Sequence, residues 1–148
     1  MAAFRTVLAA LALMLLAALP AQAQGSSRPT VALQGMDVVS YFRDGGPVQG
    51  QPALAQDFDG ARYLFASAEN RAAFVADPDR YLPQFGGLCT TGLSVGIIGQ
   101  GRPDLWRVID GRLFLFSAPG HERAMGREAE VTARASHIWA NNRPALPR

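Results

Sequence analysis

The chain has 148 residues, with 14 basic side chains, all of them Arg, against 12 acidic ones, and a formal charge of +2. Because the basic residues are scattered, nothing in the sequence forms the charged track that follows a nucleic-acid backbone, and a nucleic-acid partner is excluded. Its one cysteine rules out an internal disulfide, and a chain of this length builds a single core without one.

Residues 1–23 read as a secretory signal. A short basic stretch, Met1 to Arg5, precedes an apolar run, Val7 to Leu19, and then Ala21-Gln22-Ala23, the small-x-small pattern of a cleavage site. The apolar run is too short for a spanning helix, which takes about 20 residues, so no stable membrane insertion is expected after cleavage. Export places the mature chain in the periplasm or outside the cell. Residues 24–32 are expected to form a flexible leader, with order beginning near Val31.

In the mature chain, Val38, Tyr41 and Phe42 fall on one face of a short helix with Asp37 near its start, and Asp44-Gly45-Gly46-Pro47 breaks it. Two runs of strand-forming residues, Leu54 to Phe58 and Ala61 to Ala66, flank Asp59-Gly60 and predict a β-hairpin. Ser67 then caps a helix from Ala68 to about Ala76, and a further helical turn follows around Asp79 to Leu82. The glycine-rich stretch from Phe85 to Gly101 contains Cys89. A second hairpin, Leu105 to Ile109 and Arg112 to Phe116, repeats the first around Asp110-Gly111. Helical structure opens at Ser117 or Ala118, and Val131, Ala135, Ile138 and Trp139 form the apolar stripe of a terminal helix. The fold class is therefore α+β: one small antiparallel sheet built from two hairpins, with short helices and a C-terminal helix packed on it. The aromatics Phe58, Tyr63, Phe65, Phe74, Trp106, Phe114 and Phe116 recur at strand and helix periods and are assigned to the core.

Several separated motifs resemble the YHS domain of exported proteins. Arg62-Tyr63-Leu64-Phe65 followed by Ser67, Phe74 and Asp77-Pro78-Asp79-Arg80-Tyr81 is similar to that family's strand, Ser-capped helix and x-Pro-x-x-Tyr pattern. Gly35-Met36-Asp37-Val38-Val39-Ser40-Tyr41-Phe42 and Gln84-Phe85-Gly86-Gly87-Leu88-Cys89 resemble its flanking segments. The likeness implies one YHS-like domain over residues 33–144. Metal-handling members carry cysteines at places that correspond to Ser40, Ala66 and Asn70. With no thiol at any of these, the usual metal site of that family is not expected.

Cys89 is the leading chemical candidate. Backbone N–H groups and hydroxyls from its Gly- and Thr-rich surroundings favour a thiolate, hence a metal ligand or a reactive thiol; the alternative is a buried, inert side chain. A copper ion suits the scarce soft donors best, since Cu(I) accepts thiolate, thioether and imidazole. His121 and His137 are the only histidines, and neither has ligand spacing. Asp37 and Tyr41 are placed as binding residues in a pocket facing the glycine-rich loop. The sequence lacks a Ser-His-Asp order, a phosphate loop and paired carboxylates, so an enzyme is not expected. The reading is an exported, non-enzymatic binding module that takes a metal ion, copper through Cys89, or a periplasmic protein partner. The alternatives are an interaction domain with a structural cysteine and a thiol redox protein.

Overall fold

Both Asp-Gly pairs turn the chain where expected. Asp59 and Gly60 have φ of 47° and 77°, and Asp110 and Gly111 have φ of 50° and 70°, the double left-handed turn whose twist matches antiparallel strands. The computed structural model describes residues 29–142; the signal segment, the first part of the leader and everything after position 142 lie outside the described residues. Within them, the turns join β2 (Gln51–Phe58) to β3 (Ala61–Phe65) and β4 (Arg102–Ile109) to β5 (Arg112–Phe116). Each hairpin carries a register shift, between Gln51 and Ala55 in the first and between Arg102 and Trp106 in the second. Pro52 and Pro103 lie in these stretches.

The chain is α+β, but the two hairpins do not join into one sheet. A short strand, β1 (Thr30–Val31), runs parallel to β3 and gives the order β1-β3-β2, while β4 and β5 pair only with each other. The second edge of β5 is already covered, because Pro83 and Cys89 bridge to Leu113 and Leu115. β1 also shows paired backbone inside the stretch read as a leader.

Local chemistry sets the helices. Ser67 is extended and its Oγ accepts the Asn70 N–H at 3.1 Å, opening α1 (Ala68–Ala76). Asp77 caps α2 (Pro78–Tyr81), whose proline stands in the first turn. Then come α3 (Thr90–Leu93), α4 (Ala118–Ala124) and α5 (Glu128–Asn141). Gly126, at φ 75°, separates the last two. The helix expected from Val38 shrinks to a 3-10 turn at Ser40–Phe42. Here the Asp37 carboxylate takes the Val39 N–H at 2.9 Å and Ser40 Oγ donates to the Asp37 carbonyl at 2.5 Å, so side chains compete with the helical ladder.

β5 divides the interior. Leu113 and Leu115 pack with Val38, Val39, Tyr63, Phe65 and Phe74, whereas Phe114 and Phe116 pack with Phe85, Leu88, Leu93, Val131 and Ala135. Period-two alternation therefore feeds a core on each face of this strand. The stripe of α5 closes the second core through Val131 and Ala135, with Ile138 and Trp139 partly buried against it.

The two halves are built alike. Gln49-Gly50-x-Pro-x-Leu returns as Gln100-Gly101-x-Pro-x-Leu, and each hairpin then ends in Leu-Phe. Leu33-Gln34-Gly35 and Phe85-Gly86-Gly87 both pass through the left-handed region. Gly50 N–H donates to the Gly35 carbonyl at 2.8 Å, and Gly101 N–H to Gly87 at 2.9 Å. Asp37 N–H donates to Val48 at 2.9 Å, and Cys89 N–H to Gly99 at 2.8 Å. The glycines are required by close approach: a Cβ on Gly50 would strike the Leu64 backbone, and one on Gly101 would strike Leu115 and the Gly87 carbonyl. Gly101→Ala is expected to cost about 2 kcal/mol or more through overpacking. Gly99→Ala, with nothing within 4 Å of its added carbon, should stay within about 0.5 kcal/mol. Equal urea midpoints for the two variants would contradict the close-packed crossing.

Candidate functional site

Cys89 is 4% exposed and stands just before α3. Its sulfur accepts the Gly92 N–H at 3.4 Å and the Ser117 N–H at 3.2 Å, and its thiol donates to Ser117 Oγ at 3.3 Å. The first turn of α4 lies over it: a Cβ on Gly120 would come 3.0 Å from the sulfur. Thr91 Oγ1 ties that turn down through the Gly120 carbonyl at 2.7 Å, while Thr90 Oγ1 bonds the Leu115 carbonyl at 2.9 Å. The expected N–H donors are thus present, drawn from Gly92 and Ser117, but the neighbouring threonine hydroxyls secure the backbone instead of the sulfur.

Asp37 occupies the corresponding place in the first half. Fully buried, its carboxylate accepts N–H groups from Val39 at 2.9 Å and Ala66 at 2.8 Å, together with the Asn70 amide at 2.7 Å. Ala66 and Ser117 each follow the second strand of their hairpin, so both posts tie an opening segment to the exit of a returning strand. One half does this with a carboxylate and the other with a thiol. Ser40, Ala66 and Asn70, the positions of the family's cysteines by similarity, gather around Asp37 rather than around Cys89: Ser40 Oγ bonds the Asp37 carbonyl.

The structure does not unite Asp37, Tyr41 and Cys89 in a pocket facing the glycine-rich loop. Asp37 is consumed by its own half. Tyr41, 2% exposed, donates from Oη to the Pro103 carbonyl at 2.8 Å and meets Trp106 edge-on at 5.4 Å. Both partners line a different cleft, of about 610 Å³, walled also by Gln34, Met36, Gln49, Arg102 and Asp104. The sequence offered no sign of that cleft, since its walls come from segments far apart in the chain. Tyr81 and Phe85 are core residues.

The donor set around Cys89 does not fit a transition metal. Its polar contacts are two N–H groups and one hydroxyl, and the N–H groups engage the lone pairs that a metal would need. Among the described residues the remaining soft donors lie elsewhere. Met36 lines the cleft, Met125 Sδ accepts from Arg107 at 3.1 Å, and the exposed His137 contacts Asn141. The His121 ring packs on Phe116 at 5.8 Å, and its Nε2 is buried without a hydrogen bond. Among the described residues no three His, Cys, Asp or Glu side chains gather as a metal cluster would.

A second surface feature lies beyond α3. Val95, Ile97 and Ile98 are 63%, 64% and 46% exposed, and Ser94 just before them lines a shallow apolar groove with Ala133, Arg134, His137 and Ile138 of α5.

Replacing Asp37 by Ala leaves three donors facing a void, and a loss of about 3 kcal/mol is expected from unsatisfied buried groups. A shift in urea midpoint worth under about 0.5 kcal/mol would show that the carboxylate does not hold the fold. The buried phenols give an alkaline signature. Burial, with Asp104 second, lifts Tyr41 well above its ordinary value, and burial, with Asp59 second, pushes Tyr63 up to about 12. Unfolded tyrosine ionises near about 10, so this contribution to stability is complete below that pH and is lost as pH climbs toward the folded values. Tyrosinate absorbance from these two rings should appear together with unfolding; full ionisation near the ordinary value with native circular dichroism would refute it.

No family model, curated protein or solved structure matches the chain, and the likeness to YHS proteins rests on the motifs quoted above.

Proposed function

We propose that the chain is an exported, non-enzymatic binding module of YHS type that acts as an accessory domain for a protein partner, with Cys89 in a structural role. The observation that carries this reading is the loop after α3, which exposes Val95, Ile97 and Ile98 within four positions. Leaving three large apolar side chains in water so close together is unfavourable by about 25 cal/mol per Å² of exposed apolar area, and such patches serve as contact surfaces. The adjoining groove on α5 widens the apolar area. Arg134 and His137 border that groove and supply the polar edge that a protein interface uses to fix register.

The capping of Cys89 supports the structural part. A sulfur 4% exposed under α4 and engaged by Ser117 and Gly92 is closed to solutes, whereas reactive cysteines are partly exposed. Copper capture and thiol redox chemistry both require that sulfur to open.

Two measurements test the reading. Thiol reagent should react with Cys89 only as the protein unfolds, and purified protein and its Cys89→Ser variant should retain equal Cu(I) against a competing chelator. Rapid native reaction, or copper lost with the sulfur, would restore the metal reading. For the partner surface, immobilised protein should retain a component of a periplasmic extract that the Ile97→Asp/Ile98→Asp variant releases, with both proteins melting alike. Identical retention by both would remove the loop from the interface.

A further inference from the structure

A cleft lies between the opening segment and β4. Its volume of about 610 Å³ falls within the range of small-molecule clefts, which concentrate at the junction of structural units. Gln34, Met36 and Gln49 of the first half form one wall, and Arg102, Asp104 and Trp106 of the second form the other.

Its charge is balanced. Arg102 and Asp104 hold each other through Nε to Oδ1 at 3.0 Å and Nη2 to Oδ2 at 2.6 Å, so this wall carries no net charge. The cleft offers the N–H groups and carboxylate lone pairs that this pair leaves unused, together with the side-chain amides of Gln34 and Gln49. Beside them stands an indole, whose electron-rich face attracts weakly positive C–H groups. A pyranose ring has the complementary chemistry, with C–H groups on its faces and adjacent hydroxyls around its rim.

The internal likeness of the two halves shows that these groups are not demanded by the hairpin. Where the second hairpin has Arg102, Asp104 and Trp106, the first has Gln51, Ala53 and Ala55, with the same register shift and the same pairing: Ala55 opposite Leu64, and Trp106 opposite Leu115. The frame forms with alanine at two of these stations. Tyr41 then fixes the equipped wall, bonding the Pro103 carbonyl and backing Trp106.

We propose that this cleft binds a neutral saccharide, with Trp106 as the platform and Asp104, Arg102 and Gln49 as partners for its hydroxyls. The site shares no residue with the Val95–Ile98 loop, so it stands or falls separately from the protein-partner reading. The test uses the Trp139→Phe protein, in which Trp106 is the single indole, since the chain has two tryptophans. Titration with maltotriose and with chitotriose is followed by indole fluorescence. Shifts of backbone amides at Gln34, Gln49, Arg102, Asp104, Leu105 and Trp106 in the unsubstituted protein give the same readout without any substitution. At least one sugar should saturate the signal at millimolar concentration, and Asp104→Ala should weaken it about tenfold without moving the melting temperature. The proposal is overturned if neither sugar saturates by about 50 mM, if Asp104→Ala binds equally well, or if an uncharged proline-rich peptide shifts these amides and the sugars do not.

Discussion

Four successive side chains of β5, Leu113, Phe114, Leu115 and Phe116, are buried to 2% exposure or less, and both cores depend on them. A two-residue period sends alternate members to opposite faces, so a slip by one position would exchange Leu for Phe in each core at once. The strand is held in register on both sides, by β4 through the hairpin and by the bridges from Pro83 and Cys89. Cys89 therefore belongs to the support of the central strand before it belongs to any chemistry. Its backbone bridges Leu115, its neighbour Thr90 bonds the Leu115 carbonyl, and its sulfur receives the N–H just past Phe116.

Asp37 and Cys89 give two solutions to one structural task. A carboxylate with three donors anchors the first half, while a thiol with weaker, longer contacts anchors the second. The lone thiol becomes intelligible on these terms: sulfur fills the space beneath Gly120 and still accepts two N–H groups. The surface features offered for function lie elsewhere, one on the loop beyond α3 and one where the two halves meet.

Much of the fold was legible in the sequence because its signals are local. Asp59-Gly60 and Asp110-Gly111 specify their turns, Ser67 specifies a cap, and the stripe from Val131 to Trp139 specifies a buried helix face. What escaped depends on distant pairing. Separation of the hairpins into two sheets follows from β5 being covered by residues 83–89, which no periodicity announces. The helix expected at Val38 yielded to Asp37, whose carboxylate was already committed to Val39, Ala66 and Asn70. Asp37, Tyr41 and Cys89 were grouped because neighbouring motifs carry them, yet the chain places them on separate supports. A signal for the likeness of the halves was present: Gln-Gly-x-Pro-x-Leu occurs twice, each time ahead of an Asp-Gly turn, and a search for internal repetition would have aligned Asp37 with Cys89 and set Trp106 against Ala55.

Pro52 and Pro103 have a further consequence. β2 and β4 each lie at an outer margin of their sheet among the described residues, and each has a proline at its second position, inside a shifted stretch of its ladder. Proline offers no N–H, and an irregular ladder twists away from a flat neighbour. An incoming strand from a second molecule would find neither margin continuous. These two margins are thereby poor templates for edge-to-edge polymerisation.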